Sequence, residues 1–375
     1  MMIKNGIIFT EHDRFQKMDL SITNGKIFEL APSILSEQYG SIDASDCYII
    51  PGLIDLHFHG CSGYDFCDGT SEALEKIFSY QIANGITSLC PATMTLPGAQ
   101  LQSICKNASE YNRIHTDSPM VGIHLEGPFI SRAKKGAQSD AHIIEANTDF
   151  LQELQSEANG LIKLVSIAPE ETNALSFIAS HCNEFKFSLA HTTANYETAK
   201  KALLAGASHI THLFNAMPPF SHREPGVIGA AFDDKSCEVE VICDGIHIAA
   251  SMIRATFQLF SDNRVILISD SMRATGMPDG SYTLGGQAVQ VVEGRATLSD
   301  GTIAGSTTNL MACVQTAISM QIPPESAIKA ATKNPAKSLG IYDEYGSIAP
   351  GKVANLLILN KDFTLKKVIY HGLEI

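Results

Sequence analysis

Pro51-Gly-Leu-Ile-Asp55-Leu-His57-Phe-His59-Gly60 closes an apolar run, 49–57, that has the composition of a buried strand. Alternation along a strand sets His57 and His59 on one face. Two imidazoles side by side where a strand gives way to a loop form a chemical feature, and the rest of the chain can be searched for its partners.

Seven more apolar runs follow, at 86–91, 120–125, 161–167, 186–190, 209–213, 238–242 and 265–269. Helical patterns lie between them, among them 71–84, 99–111, 195–205 and 250–260, and Gly85, Gly160 and Gly206 stand where helices should stop. Eight strand-then-helix units in one block predict an α/β fold of the (β/α)8 TIM-like barrel type. A doubly wound sheet fits less well, because no GxGxxG follows the first strand. Both chain ends are β-rich, with strands expected at 3–10, 18–23, 26–30, 355–359 and 365–370 and a hairpin turn at Asn24-Gly25. Gly-rich 281–305, with Val289, Val291, Ala296 and Leu298 at period two, reads as a β-hairpin inserted after strand eight.

The chain has 375 residues, 45% hydrophobic and 18% charged, which excludes intrinsic disorder and a minimal disulfide-stapled module. Forty acidic and 27 basic residues give a formal charge of −13, and the longest basic run is Lys134-Lys135, so no nucleic-acid partner is expected. No stretch reaches membrane-spanning length and the start does not read as a secretory signal, so no membrane partner is expected and the cytoplasm is the default location. Nine Cys without CxxC spacing read as reduced thiols, with Cys90 and Cys243 buried.

Thirteen histidines invite a search for clusters. Strand three ends in His124-Leu-Glu126, strand five at His191, strand six in His209-Ile-Thr-His212, and strand eight at Asp270; Asp244-Gly-Ile-His247 follows strand seven. In a barrel these ends converge on one mouth. Imidazoles with carboxylates suit a divalent Zn, Fe, Mn or Co ion, and a catalytic site leaves one position open for water. Glu126, His191 and His212 would supply three ligands. His57 and His59 would hold a second ion, with Glu126 bridging and Asp270 facing the water. His12, His115, His181 and His371 read as structural.

The first-strand run resembles the opening motif of the amidohydrolase superfamily. His124-Leu-Glu126-Gly-Pro-Phe129, Thr211-His212-Leu-Phe-Asn215-Ala-Met217, Arg223-Glu-Pro-Gly, Asp244-Gly-Ile-His247, Asp270-Ser-Met-Arg-Ala, Leu284-Gly-Gly and Asp300-Gly-Thr-Ile-Ala-Gly305-Ser extend the match. In that order they are similar to the N-acetylglucosamine-6-phosphate deacetylase family. The resemblance implies a distorted barrel over 51–342 and a small β-sandwich domain from 1–50 and 343–375. It implies one or two divalent metals per subunit, one of them on Glu126, His191 and His212, with Asp270 as the proton-transfer residue. It implies substrate contacts at Ala137, Gln138, Asn215, Ala216, Arg223, Asp244, Gly245, Ile246, His247, Ile303, Ala304 and Gly305. Gln138 stands where some members carry His. The glutamate replaces the carboxylated lysine of many other amidohydrolases.

The expected reaction removes acetyl from an N-acetylglucosamine 6-phosphate, in amino-sugar catabolism or cell-wall sugar recycling. Asp270 would take a proton from water and give it to the departing amine. His247 would orient a sugar hydroxyl or steady the oxyanion. Arg223, with His222 and Asn215 nearby, is the candidate for the phosphate. The resemblance further suggests a homodimer in which a neighbour's Arg223 completes the site. The galactosamine epimer is an alternative substrate. A dihydroorotase-type reaction fits less well, given Glu126 in place of lysine. An inactive scaffold fits least, because every expected ligand is present.

Overall fold

The computed structural model describes residues 1–35 and 40–375. Eight parallel strands run around a barrel: Leu53–Asp55, Ile86–Leu89, Ile123–Leu125, Ile162–Ile167, Lys186–Leu189, His209–Ile210, Glu238–Ile242 and Val265–Ile268. The last six form one sheet in sequence order, and the first two form a separate pair. Single bridges, Leu89 to Met120 and Ala92 to His124, carry the pair onto the larger sheet. Between strands eight and one, the Asp270 amide donates to the His57 carbonyl at 2.9 Å. There Asp55 also accepts from the Ser269 hydroxyl at 2.5 Å and the Ser269 amide at 3.3 Å. Burial pushes the Asp55 carboxyl up to about 7. Side chains thus complete what the backbone ladder leaves open, and this is the barrel's distortion.

The expected single strand 49–57 is two elements. Tyr48–Pro51 runs antiparallel to Leu356–Leu359 in a terminal sheet, and Leu53–Asp55 enters the barrel. Pro51 has no N–H with which to continue a ladder. Gly52 then passes so close to the second barrel strand that a Cβ would sit 2.1 Å from the Thr87 hydroxyl oxygen.

Helices wrap the barrel, and their apolar faces join the strands in one large core. Thr70, Asn147, Asn195 and Asn309 each cap a helix by accepting from the amide three residues on, worth about 1 kcal/mol apiece. Both chain ends build one eight-stranded sheet. Its strand Met2–Phe9 is shared. The first half pairs with Ser41–Asp43 and the second with Tyr48–Pro51 on one edge, and on the other edge it runs antiparallel to Phe15–Thr23 with a register shift between Ile3 and Gly6. The sheet curls around its own core of Ile3, Ile8, Leu20, Ile49, Leu356 and Ile369. Asn24 and Gly25 take φ of 52° and 73°, as a two-residue type I′ hairpin requires.

After strand eight, Gln287–Val292 and Arg295–Thr297 make the hairpin foreseen from Val289, Val291 and Ala296. A third strand, Gly280–Leu284, joins it. This meander buries Leu284, Val289 and Val291 against Met94, Ala137, Met272 and Ala304, so it lies over the mouth that holds the strand-end ligands. Among the described residues, no helix is long and apolar enough to cross a membrane.

Candidate metal centre

Glu126, His191 and His212 leave the third, fifth and sixth barrel strands at the same mouth. His191 Nε2 and His212 Nε2 both lie 3.1 Å from Glu126 Oε1 and 3.1 Å from each other. His191 Nδ1 donates to the Lys134 carbonyl at 2.9 Å, so its Nε2 turns a lone pair inward. The three atoms converge as the ligands of one cation do. The donor set of two imidazoles and one carboxylate fits a divalent transition metal with an open position.

A second group shares the floor. His59 Nε2 is 3.2 Å from Glu126 Oε2 and 3.3 Å from Asp270 Oδ1. His57 Nε2 is 3.3 Å from Glu126 Oε1 and 3.6 Å from Asp270 Oδ1. His57, His59 and Asp270 place one ligand atom each within 4.8 Å of one another. Glu126 therefore faces both groups: Oε1 lies near His191, His212 and His57, and Oε2 near His59. Burial opposes charge on all four side chains, but the ring–carboxylate contacts outweigh it. Glu126 and Asp270 sit below the ordinary carboxylate range, and His57 and His59 above the ordinary imidazole range.

The backbone under these groups is strained. His191, His212 and Asp270 take φ of 43°, 30° and 48°, the left-handed region that side chains disfavour. Gly127, at φ 87°, carries the turn after Glu126 where a Cβ would meet the Thr95 hydroxyl oxygen at 2.1 Å.

Above the floor is a cavity of about 460 Å³, a size that suits a small polar ligand. His59, Glu126, His191, His212 and Asp270 form its base, and Ala137, Gln138, Asn215, Ala216, His247, Ile303 and Gly305 its walls. Asp244 stands behind His247: its Oδ2 accepts from Nδ1 at 2.7 Å and its Oδ1 from the amides of Ile246 and His247. Burial pulls the His247 pKa down, but the Asp244 carboxylate raises it overall.

Other expected contacts lie elsewhere. Gly245 and Ile246 are exposed on the turn that Asp244 braces, and Ala304 is fully buried behind Ile303. Arg223 is exposed, does not line the cavity, and forms no ion pair among the described residues. His222 lines a different groove with Tyr196, Phe220 and Phe232. His115, His181 and His371 pack on Tyr111, Phe177 and Tyr370, away from the cavity. Cys90 and Cys243 are fully buried.

Two side chains at the centre have roles that their sequence positions did not suggest. Gln138 is a bridge rather than a free wall group: its Nε2 donates to Glu126 Oε2 at 2.9 Å, and its Oε1 accepts from the Thr95 amide at 2.6 Å. Glu240 is fully buried behind His57, whose Nδ1 is 3.0 Å from its Oε2. An acid between Val239 and Val241 in an apolar strand was the signal available for it, since alternation turns it away from the valines.

The chain matches the Amidohydrolase family over residues 48–374. It is 37% identical to the N-acetylglucosamine-6-phosphate deacetylase of Bacillus subtilis, across 99% of this chain and 96% of the relative. It is 30% identical to the N-acetylgalactosamine-6-phosphate deacetylase of Escherichia coli, across 97% and 96%. An N-acetyl-D-glucosamine-6-phosphate deacetylase mutant of Mycobacterium smegmatis, solved in complex with N-acetyl-D-glucosamine-6-phosphate, superposes with a TM-score of 0.94. That pair is 30% identical and covers 100% of this chain and 98% of the other. The chain therefore belongs to the amidohydrolase family, in the group that holds the N-acetylglucosamine-6-phosphate deacetylases.

Proposed function

We propose that the chain hydrolyses the acetamide of N-acetyl-D-glucosamine 6-phosphate, giving D-glucosamine 6-phosphate and acetate. The observation that carries the reading is the placement of Asp270 in one cavity with Glu126, His191 and His212. Full-length likeness to deacetylases of this substrate names the amide.

Glu126, His191 and His212 would hold a divalent ion, and His57 and His59 a second, with Glu126 shared. Such an ion lowers the pKa of water and polarises an amide carbonyl. The residues supply the rest. Asp270 takes a proton from the attacking water as the C–O bond forms and gives it to the amide nitrogen as the C–N bond breaks. Without that proton the amine is a poor leaving group. Asp244 holds His247 by Nδ1, so Nε2 faces the sugar or the developing oxyanion. Asn215 and Ala216, which also line the cavity, meet the sugar.

The phosphate needs a cation, and among the described residues Lys134 is the one Lys or Arg that lines the cavity. In a homodimer, Arg223 of the partner subunit would reach the phosphate, and its exposure leaves its guanidinium free to do so. A sugar phosphate is too charged to cross a membrane unaided, which supports action in the cytoplasm.

Acetate release by the purified chain, before and after chelation and metal return, tests the reading. Release that stops with chelator and resumes with Zn, Fe, Mn or Co is expected. No release from a metal-loaded protein overturns it. The galactosamine epimer belongs beside it as a second reading, because an N-acetylgalactosamine-6-phosphate deacetylase is 30% identical over nearly the full length. The ratio of the two rates decides between them.

A further inference from the structure

We infer that Glu240 is a positioning residue for the His57–His59–Asp270 side of the centre, fixing which nitrogen of His57 faces the cavity floor. The inference rests on the two-ion reading above.

Glu240 lies in the strand Glu238–Ile242 with none of its surface exposed. A carboxylate removed from water needs donors; two reach Oε2, while Oε1 has no hydrogen-bond partner among the described residues. His57 Nδ1 is 3.0 Å away and the His212 backbone amide 3.2 Å, both at Oε2; His209 Nε2 is 3.5 Å from Oε1. A neutral imidazole carries one proton. Committed to Glu240 through Nδ1, that proton leaves the lone pair at Nε2, the atom nearest Glu126 Oε1 and Asp270 Oδ1. Without Glu240 those two carboxylates compete for the proton at Nε2, and the ring ceases to be a ligand. The neighbouring rings are set differently. His59 Nδ1 meets the Ala92 carbonyl at 3.3 Å and His191 Nδ1 the Lys134 carbonyl at 2.9 Å. Among the described residues, His57 is the one histidine of the floor with an anion behind its ring. Losing Glu240 therefore weakens the His57 side of the centre directly, and reaches the other side only through the His212 backbone amide.

The test compares wild-type protein with Glu240→Gln and Glu240→Leu, each loaded with Co²⁺ or Zn²⁺. Metal per chain is measured by elemental analysis and affinity by chelator competition. Wild type is expected to hold two ions. Glu240→Leu should keep one at wild-type affinity and hold the other about 10- to 100-fold more weakly, the usual range for such supporting contacts. Glu240→Gln keeps an oxygen that accepts from His57 Nδ1, so it should recover most of the loss. In Co²⁺ protein the visible bands of one site alone should change. In a His57→Asn background, Glu240→Leu should cause no further loss at that site. A wild-type chain with one ion, a Glu240→Leu protein with both ions at full affinity, equal loss from both sites, or further loss in the His57→Asn background each overturns the inference. If the Leu variant does not fold, Glu240→Ala, which removes the same acceptor without adding bulk, takes its place with the same expected and overturning results. Acetate release by wild type is measured alongside. Its failure bears on the deacetylase reading, while the metal counts are read independently of it.

Discussion

At the scale of single residues, the candidate site is a set of oxygens and ring nitrogens whose partners dictate their roles. Asp270 touches both first-strand histidines and lines the cavity, so its carboxylate is placed to move a proton. Asp270→Asn keeps the size and removes the base. Metal per chain should hold at one ion or more while kcat falls by about 10²- to 10⁴-fold; near-normal turnover would assign the proton step elsewhere. Gln138 acts one contact further out. Gln138→Leu removes the donor to Glu126 Oε2 and strands the buried Thr95 amide. Metal affinity should drop about tenfold and stability by about 1–3 kcal/mol. A chelator titration and a urea melt read the two effects separately, and an unchanged affinity would reduce Gln138 to a wall. The strand-end ligands were legible in the sequence because each stands where an apolar run meets a loop. Gln138 was legible only as a position in a motif, because its partner Thr95 arrives from a different loop. Glu240 was hidden for a third reason: which face of its strand points inward is settled only when the barrel closes.

At the scale of elements, period-two and period-3.6 patterns placed the strands and the longer helices to within a few residues. What they missed was continuity. Ile49, Ile50, Leu53 and Ile54 read as one apolar run, yet Pro51-Gly52 hands the chain from the terminal sheet to the barrel. Hydropathy does not register a change of partner. The side away from the ligands is held by another contact that pattern does not reveal. Buried Arg264 follows the helix Ala250–Phe260 and donates to the carbonyls of Phe260, Ala231, Asp234 and Cys237. Its guanidinium lies 4.9 Å from the Phe260 ring centre. One side chain thus meets four carbonyls, from the ends of the helices Gly226–Asp233 and Ala250–Phe260 and from the turn that follows the first of them. Arg264→Met fills the space but orphans those acceptors, and should cost about 2–4 kcal/mol. Because the site lies at the ligand-bearing ends of the strands, activity per folded molecule should stay near wild type. A urea melt with a parallel acetate assay separates the two, and a loss below about 0.5 kcal/mol would mean the carbonyls find other donors.

At the scale of the whole molecule, the terminal sheet and the barrel must hold a fixed relation, since one strand run feeds both. A carboxylate pins them together. Asp13, in the turn after Met2–Phe9, pairs with Lys329 at 2.9 Å and Lys333 at 2.8 Å, and Lys333 also donates to the Glu11 carbonyl. Partial burial raises the Asp13 pKa, but hydrogen bonds and charge from Lys333 and Lys329 bring it below the ordinary carboxylate value. A carboxylate whose folded pKa is depressed stabilises the fold above its unfolded pKa, near 3.9. That contribution is lost as pH falls through the folded value. The pairs are partly exposed, so solvent screens them and the link should be worth about 1 kcal/mol in total. Asp13→Asn should therefore lower the urea midpoint at pH 7 in low salt, with a smaller gap in 1 M NaCl. The gap should persist at pH 5, where the carboxylate is still ionised, and close only as pH drops below about 3.9. A gap that vanishes already between pH 7 and pH 5 would contradict the depressed pKa. A gap unchanged by salt would mean that Asp13 holds the two parts through its turn geometry, at φ 58°, and not through charge.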